Sequence, residues 1–115
     1  MRFDGWDDVT RYALALPGVE ASTSYRQPAL KVDGRLIAST GHEDGSFHVR
    51  SPHEDKAVLI DTDPATFWQT DHYRNWPGLL VRYGGADLER VALVIRRAWW
   101  DAMRPARRRG HGERP

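Results

Sequence analysis

The stretch Thr70-Asp71-His72-Tyr73-Arg74-Asn75-Trp76-Pro77 is the most polar-aromatic part of the chain. Tyr73 and Trp76 offer flat faces on which a base or another planar ligand can stack, Arg74 can meet a phosphate, and His72 can donate one hydrogen bond. A structural reading competes with this one. An aromatic-rich turn ahead of a strand can fold back and close one end of a core, with His72 tied to a backbone carbonyl. Tyr25 and Arg82 join His72, Tyr73 and Trp76 as candidates for the border of a polar-aromatic cleft that would hold a small aromatic molecule or a protein partner. Lys31, Arg35, Arg50, Arg74 and Arg82, with Arg107, Arg108 and Arg109 near the C-terminus, are the candidates for contact with a nucleic-acid backbone.

Other chemistries find less support. The histidines, among them His42, His48, His53 and His72, form neither a His-x-x-x-His pair nor a Glu-x-x-His pair, so no metal is expected. With no cysteine in the chain, disulfides, thiolate nucleophiles and cysteine-based zinc sites are excluded together. Ser22, Ser24, Ser39 and Ser46 lack a Gly-x-Ser-x-Gly elbow, and the glycines form neither a phosphate loop nor a dinucleotide fingerprint. The acidic pairs Glu43-Asp44 and Glu54-Asp55 lie where acidic residues favour turns and helix starts. The expectation is a protein that is not an enzyme and needs no cofactor.

Length and charge narrow the partners. A chain of 115 residues is one domain by size, with one modest core. No apolar run approaches the roughly 20 residues that cross a bilayer, and the N-terminal Asp4, Asp7 and Asp8 do not read as a signal peptide, so a soluble, cytoplasmic protein is expected. The formal net charge is +1, but residues 104–115 hold five arginines against Glu113, leaving residues 1–103 with 12 basic and 15 acidic side chains. The body is mildly acidic. Attraction to a polyanion must therefore come from the tail or from a local patch.

The elements that position these residues follow from periodicity. Trp6, Val9, Ala13 and Leu16 share one stripe of a helix that Asp4 can cap and Pro17-Gly18 ends. Pro28 precedes a short alternating run, and Asp33-Gly34 is a favoured two-residue hairpin turn; it would place Val32 opposite Arg35, Lys31 opposite Leu36 and Leu30 opposite Ile37. Ser46 to Arg50 alternates again, with Phe47 and Val49 on one side and His48 and Arg50 on the other. A helix from about His53 to Asp61 would pack Ala57, Val58 and Ile60, and a further short helical turn would run from Ala65 to Phe67. Leu79 to Tyr83 is a strand, and Asp87 caps a long amphipathic helix that buries Leu88, Val91, Ile95, Ala98 and Trp99. Trp100, about 100° from Trp99 around that helix, lies at the margin of the buried stripe. Beyond Pro105 the chain turns to arginine and glycine, and residues 104–115 are expected to be disordered.

Hairpins between the early strands and helices at both ends argue for an α+β domain, a two-layer sandwich of mostly antiparallel sheet with helices packed on one face. Its other face would be open and would display Lys31, His48, Arg50 and Arg82, with Leu36 and Ala38 between them. Trp6, Leu16-Pro17-Gly18-Val19-Glu20, the run from Ser24 to Arg35, Thr70-Asp71-His72-Tyr73, Leu80-Val81-Arg82 and Ala98-Trp99 together resemble the MmcQ/YjbR family of small single-domain proteins over roughly residues 3–103. The resemblance implies the same two-layer arrangement, similar to the secretion-chaperone-like and YjbR-like folds. Family members are usually described as DNA-binding, so it also implies a non-enzymatic protein that contacts mainly phosphate, with little sequence preference. In the family the aromatic segment commonly reads Thr-Pro-His-Tyr, and here Asp71 replaces the proline.

Overall fold

A computed structural model describes residues 1–115. In chain order it contains α1 (Trp6–Leu14), β1 (Val19–Ser24), β2 (Gln27–Val32), β3 (Arg35–Ser39), β4 (Ser46–Arg50), α2 (His53–Thr62), β5 (Phe67–Trp68), a 3-10 turn (Asp71–Tyr73), β6 (Gly78–Arg82), α3 (Leu88–Ala102) and α4 (Pro105–Arg108). The strands form one sheet in the order β1-β2-β3-β4-β6-β5, antiparallel at every pairing. Helices α1 and α3 pack on one face, so the fold is the expected α+β sandwich.

Period-two alternation sorts the sheet residues between its faces. Leu30, Val32, Phe47, Val49, Leu79 and Val81 point to the helices and are buried there with Val9, Ala13, Ile95 and Ala98. Asp87 caps α3 by accepting from the Arg90 N–H, as its position predicts. Asp4 does not cap α1. Gly5 holds that position, and the Asp8 carboxylate reaches back to the Asp4 N–H instead.

The Asp33-Gly34 turn forms with both residues at positive φ, 52° and 75°, a geometry that glycine accepts without strain. Val32 faces Arg35 and Lys31 faces Leu36 as expected, but Leu30 faces Ala38 rather than Ile37. Ile37 is an extra, bulged residue, which lets the consecutive Ile37 and Ala38 both enter the core. The bulge also shifts the alternation, so that Ser39, not Ala38, shares the open face with His48.

One strand has no counterpart in the sequence reading, and two further expectations are corrected. Strand β1 is an exposed edge strand defined by backbone pairing, and its Glu20-Ala21-Ser22-Thr23 run has no apolar alternation to announce it. Phe67 belongs to the two-residue strand β5, not to a helical turn, and it pairs with Val81. On α2 the buried residues are Lys56 and Leu59, while Ala57 and Val58 are exposed.

The C-terminal segment, residues 104–115, makes polar contacts with the domain. Asp33 accepts from the Arg104 N–H at 2.9 Å and from Arg107 Nε at 3.0 Å, Arg108 donates to the carbonyls of Trp100 and Asp101, and Arg114 pairs with Asp101 and Asp55. The segment lacks an apolar anchor of its own, and ion pairs with bonds to the end of α3 take its place. His111 also meets the Trp99 ring edge-on.

Candidate functional site

The open face of the sheet is not flat. Leu36, Ser39 and His48 form the floor of a cleft of about 470 Å³. The β1–β2 hairpin supplies Ser24, Tyr25 and Gln27 on one side, the β3–β4 loop supplies Thr40, Gly41 and His42, and the segment ahead of β6 supplies His72, Tyr73 and Trp76.

His48 is fixed from several directions. Its Nε2 lies 3.1 Å from Glu43 Oε2, its ring meets Tyr73 nearly perpendicularly at 4.6 Å, and the Trp76 ring is 5.9 Å away. Tyr73 and Trp76 stand 5.6 Å apart, tilted by 56°. Gly41 is required for this packing, because a Cβ there would lie 2.1 Å from His48 Nε2. Burial, reinforced by the Glu43 carboxylate, raises the Tyr73 phenol above its ordinary range.

The aromatic wall is held from behind by a residue that sequence reasoning passed over. Lys56 of α2 is buried, and its ammonium donates to the carbonyls of Tyr73 (3.0 Å), Arg74 (3.2 Å), Trp76 (2.8 Å) and Gly78 (3.0 Å). Burial lowers its pKa below that of an ordinary lysine, and the four oxygens, which can only accept, oppose loss of the proton. A lone lysine on a short helix looks solvated in sequence. The only available signal was its place on the same helical face as Leu59, three residues on.

The structure thus brings Tyr25, His72, Tyr73 and Trp76 together. Arg82 is not among the lining residues. It is on the open face but lies beside β5, where its guanidinium stacks 4.7 Å above the Trp68 ring and donates to the carbonyls of Pro64 and Ala65. The residues missed as cleft lining, His48 and Ser39 on the floor and Gln27, Thr40 and His42 on the walls, are ordinary polar positions until the bulge and loops converge.

The basic candidates are dispersed. Lys31 is half-buried on β2, Arg35 is exposed at the start of β3, and Arg50 ends β4 near Asp55 and Arg97. Arg74 pairs with Asp71, Arg107 with Asp33, and Arg108 binds backbone carbonyls, while Arg109 is exposed. No three histidine or carboxylate side chains converge as ligands for an ion.

A model of the family described as YjbR matches residues 14–100. Similar proteins include the uncharacterized protein Rv2570 of Mycobacterium tuberculosis and the uncharacterized protein Mb2600 of Mycobacterium bovis. Each is 28% identical over 109 residues, covering 82% of this chain and 84% of the relative.

Proposed function

The chain belongs to the YjbR family, and from that premise we propose that it is a non-enzymatic binding module whose site is the cleft on the open sheet face, and whose ligand is a small, flat aromatic molecule. The observation that carries this reading is the convergence of Tyr25, His72, Tyr73 and Trp76 on one cleft of about 470 Å³. That size lies within the roughly 300–1,000 Å³ of small-molecule sites. Aromatic faces supply stacking area, and Ser24, Gln27, Thr40 and His48 supply polar groups that fix orientation.

Binding is favoured over acyl transfer by the state of the polar groups. His48 is oriented by Glu43 and sits opposite Ser39, yet no hydrogen bond joins the serine to the imidazole, and that contact is the one an activated nucleophile uses. Contact with DNA through Lys31, Arg35, Arg50, Arg74, Arg82 and Arg107 to Arg109 has less support. Arg74 and Arg107 are already paired with carboxylates, and Arg82 and Arg108 are committed to backbone carbonyls.

The test is a calorimetric titration of the full chain with naphthalenemethanol, a neutral flat probe, beside anisotropy of a labelled random duplex. The reading expects probe binding that barely changes from about 50 to 200 mM salt, whereas a phosphate-binding surface loses most of its affinity over that range. Trp76→Ala and the fully exposed Tyr25→Ala should each weaken the probe at least about tenfold, the loss of one good stacking contact. Tight, salt-sensitive duplex binding that both variants retain, with no probe binding, would overturn the reading in favour of DNA.

A further inference from the structure

Resting on the cleft reading above, we infer that the ligand class is an aromatic cation, a flat ring system bearing an ammonium or a charged ring nitrogen, and that Glu43 is the residue that selects its charge. The lining contains no lysine and no arginine. Lys31, although on the same sheet face, and Arg26, although at the hairpin tip beside Tyr25, are not part of it. A ligand carrying a phosphate or carboxylate would enter without a cation to meet it.

A negative charge is bonded directly to the floor. Glu43 shares one oxygen with His48 Nε2 and has no lysine or arginine partner, and its side chain keeps 21% of its surface exposed. The carboxylate thus lies behind a wall of low polarity with no lysine or arginine to compensate it. The rise in the Tyr73 phenol pKa, caused first by burial and then by Glu43, indicates that this field reaches the cleft wall. A field that disfavours a phenolate favours a cation at the same place.

The rings add to the same preference. Tyr73 and Trp76 present π faces at an angle of 56°, and Tyr25 stands at the mouth with 98% of its surface exposed. The face of an aromatic ring is the negative pole of its quadrupole, so a cation gains where an anion loses. The other side chains of the lining that can carry a positive charge are the imidazoles of His42, His48 and His72.

The test is titration of the full chain at about pH 8, above the ordinary histidine range, with three probes that share one ring system: the naphthylmethylammonium ion, naphthalenemethanol and naphthoate. The inference expects the cation to bind about fivefold or more tighter than the alcohol, and naphthoate to bind most weakly. Glu43→Gln, which keeps an acceptor for His48, should bring cation and alcohol within about twofold, whereas Glu54→Gln, a remote exposed carboxylate on α2, should leave the ratio unchanged. Equal binding of cation and alcohol, or preference for naphthoate, would overturn the charge assignment while leaving the aromatic cleft standing. If none of the three probes binds, the cleft reading itself falls.

Discussion

Four backbone carbonyls, those of Tyr73, Arg74, Trp76 and Gly78, converge on the Lys56 ammonium, so one side chain holds the loop that presents two of the cleft's rings. Lys56→Met keeps the aliphatic stem but leaves these carbonyls without their donor. The expected cost is about 3 kcal/mol in urea unfolding, from charged hydrogen bonds lost and acceptors left unpaired. Probe affinity should fall with it, because Tyr73 and Trp76 lose their fixed tilt. A variant with unchanged stability and unchanged affinity would show that the loop is held by its own packing. At this scale the sequence was half legible. Tyr73 and Trp76 stand out because aromatic and polar residues crowd one short segment, whereas Lys56 does not, since its role depends on carbonyls 17 to 22 residues away. Alternation places Arg82 on the open face, but the partner that draws it away from the cleft, Trp68, lies on a strand too short for periodicity to reveal.

Two hairpins shape the cleft's sheet, and they differ in strain. Asp33-Gly34 suits its turn, but Tyr25 and Arg26 both adopt positive φ, 49° and 67°, at the tip that overhangs the cleft. A non-glycine residue in the left-handed region is strained, so Arg26→Gly should raise stability by about 0.5–1 kcal/mol. Urea midpoints of the two proteins check this, and a loss would mean that the Arg26 side chain makes a stabilising contact outweighing the strain. Elements with a buried apolar face, α1, β4, β6 and α3, were legible because their periodicity reports burial. Strand β1 was not, because an exposed edge strand has no face to hide, and the Ile37 bulge was not, because an inserted residue is visible only against its partner strand.

As a whole molecule the protein folds its C-terminal segment over the β2–β3 turn through Asp33. The Arg104 N–H and then the Arg107 guanidinium hold the Asp33 carboxyl below the ordinary carboxylate range. A carboxylate with a lowered pKa in the folded state stabilises above its unfolded value of about 3.9 and loses that contribution as the pH falls through its folded value. The segment should therefore loosen in acid. Asp33→Asn should loosen it at neutral pH without breaking the turn, because asparagine tolerates positive φ. Hydrogen exchange should then quicken in residues 105–111 and stay unchanged at Val49 and Leu79; unchanged exchange throughout would show that Arg108 and Arg114 suffice. The two-layer architecture was legible in sequence, but this docking was not, because composition reports the lack of apolar residues and not the carboxylates waiting on the domain. The most direct measurement of the central claim is amide and side-chain chemical-shift mapping of the full chain with naphthalenemethanol. The account predicts perturbations confined to Gln27, Ser39, Gly41, His48, Tyr73 and the Trp76 indole, and perturbations at Arg35, Arg50 and Arg107 to Arg109 instead, or none at any concentration, would contradict it.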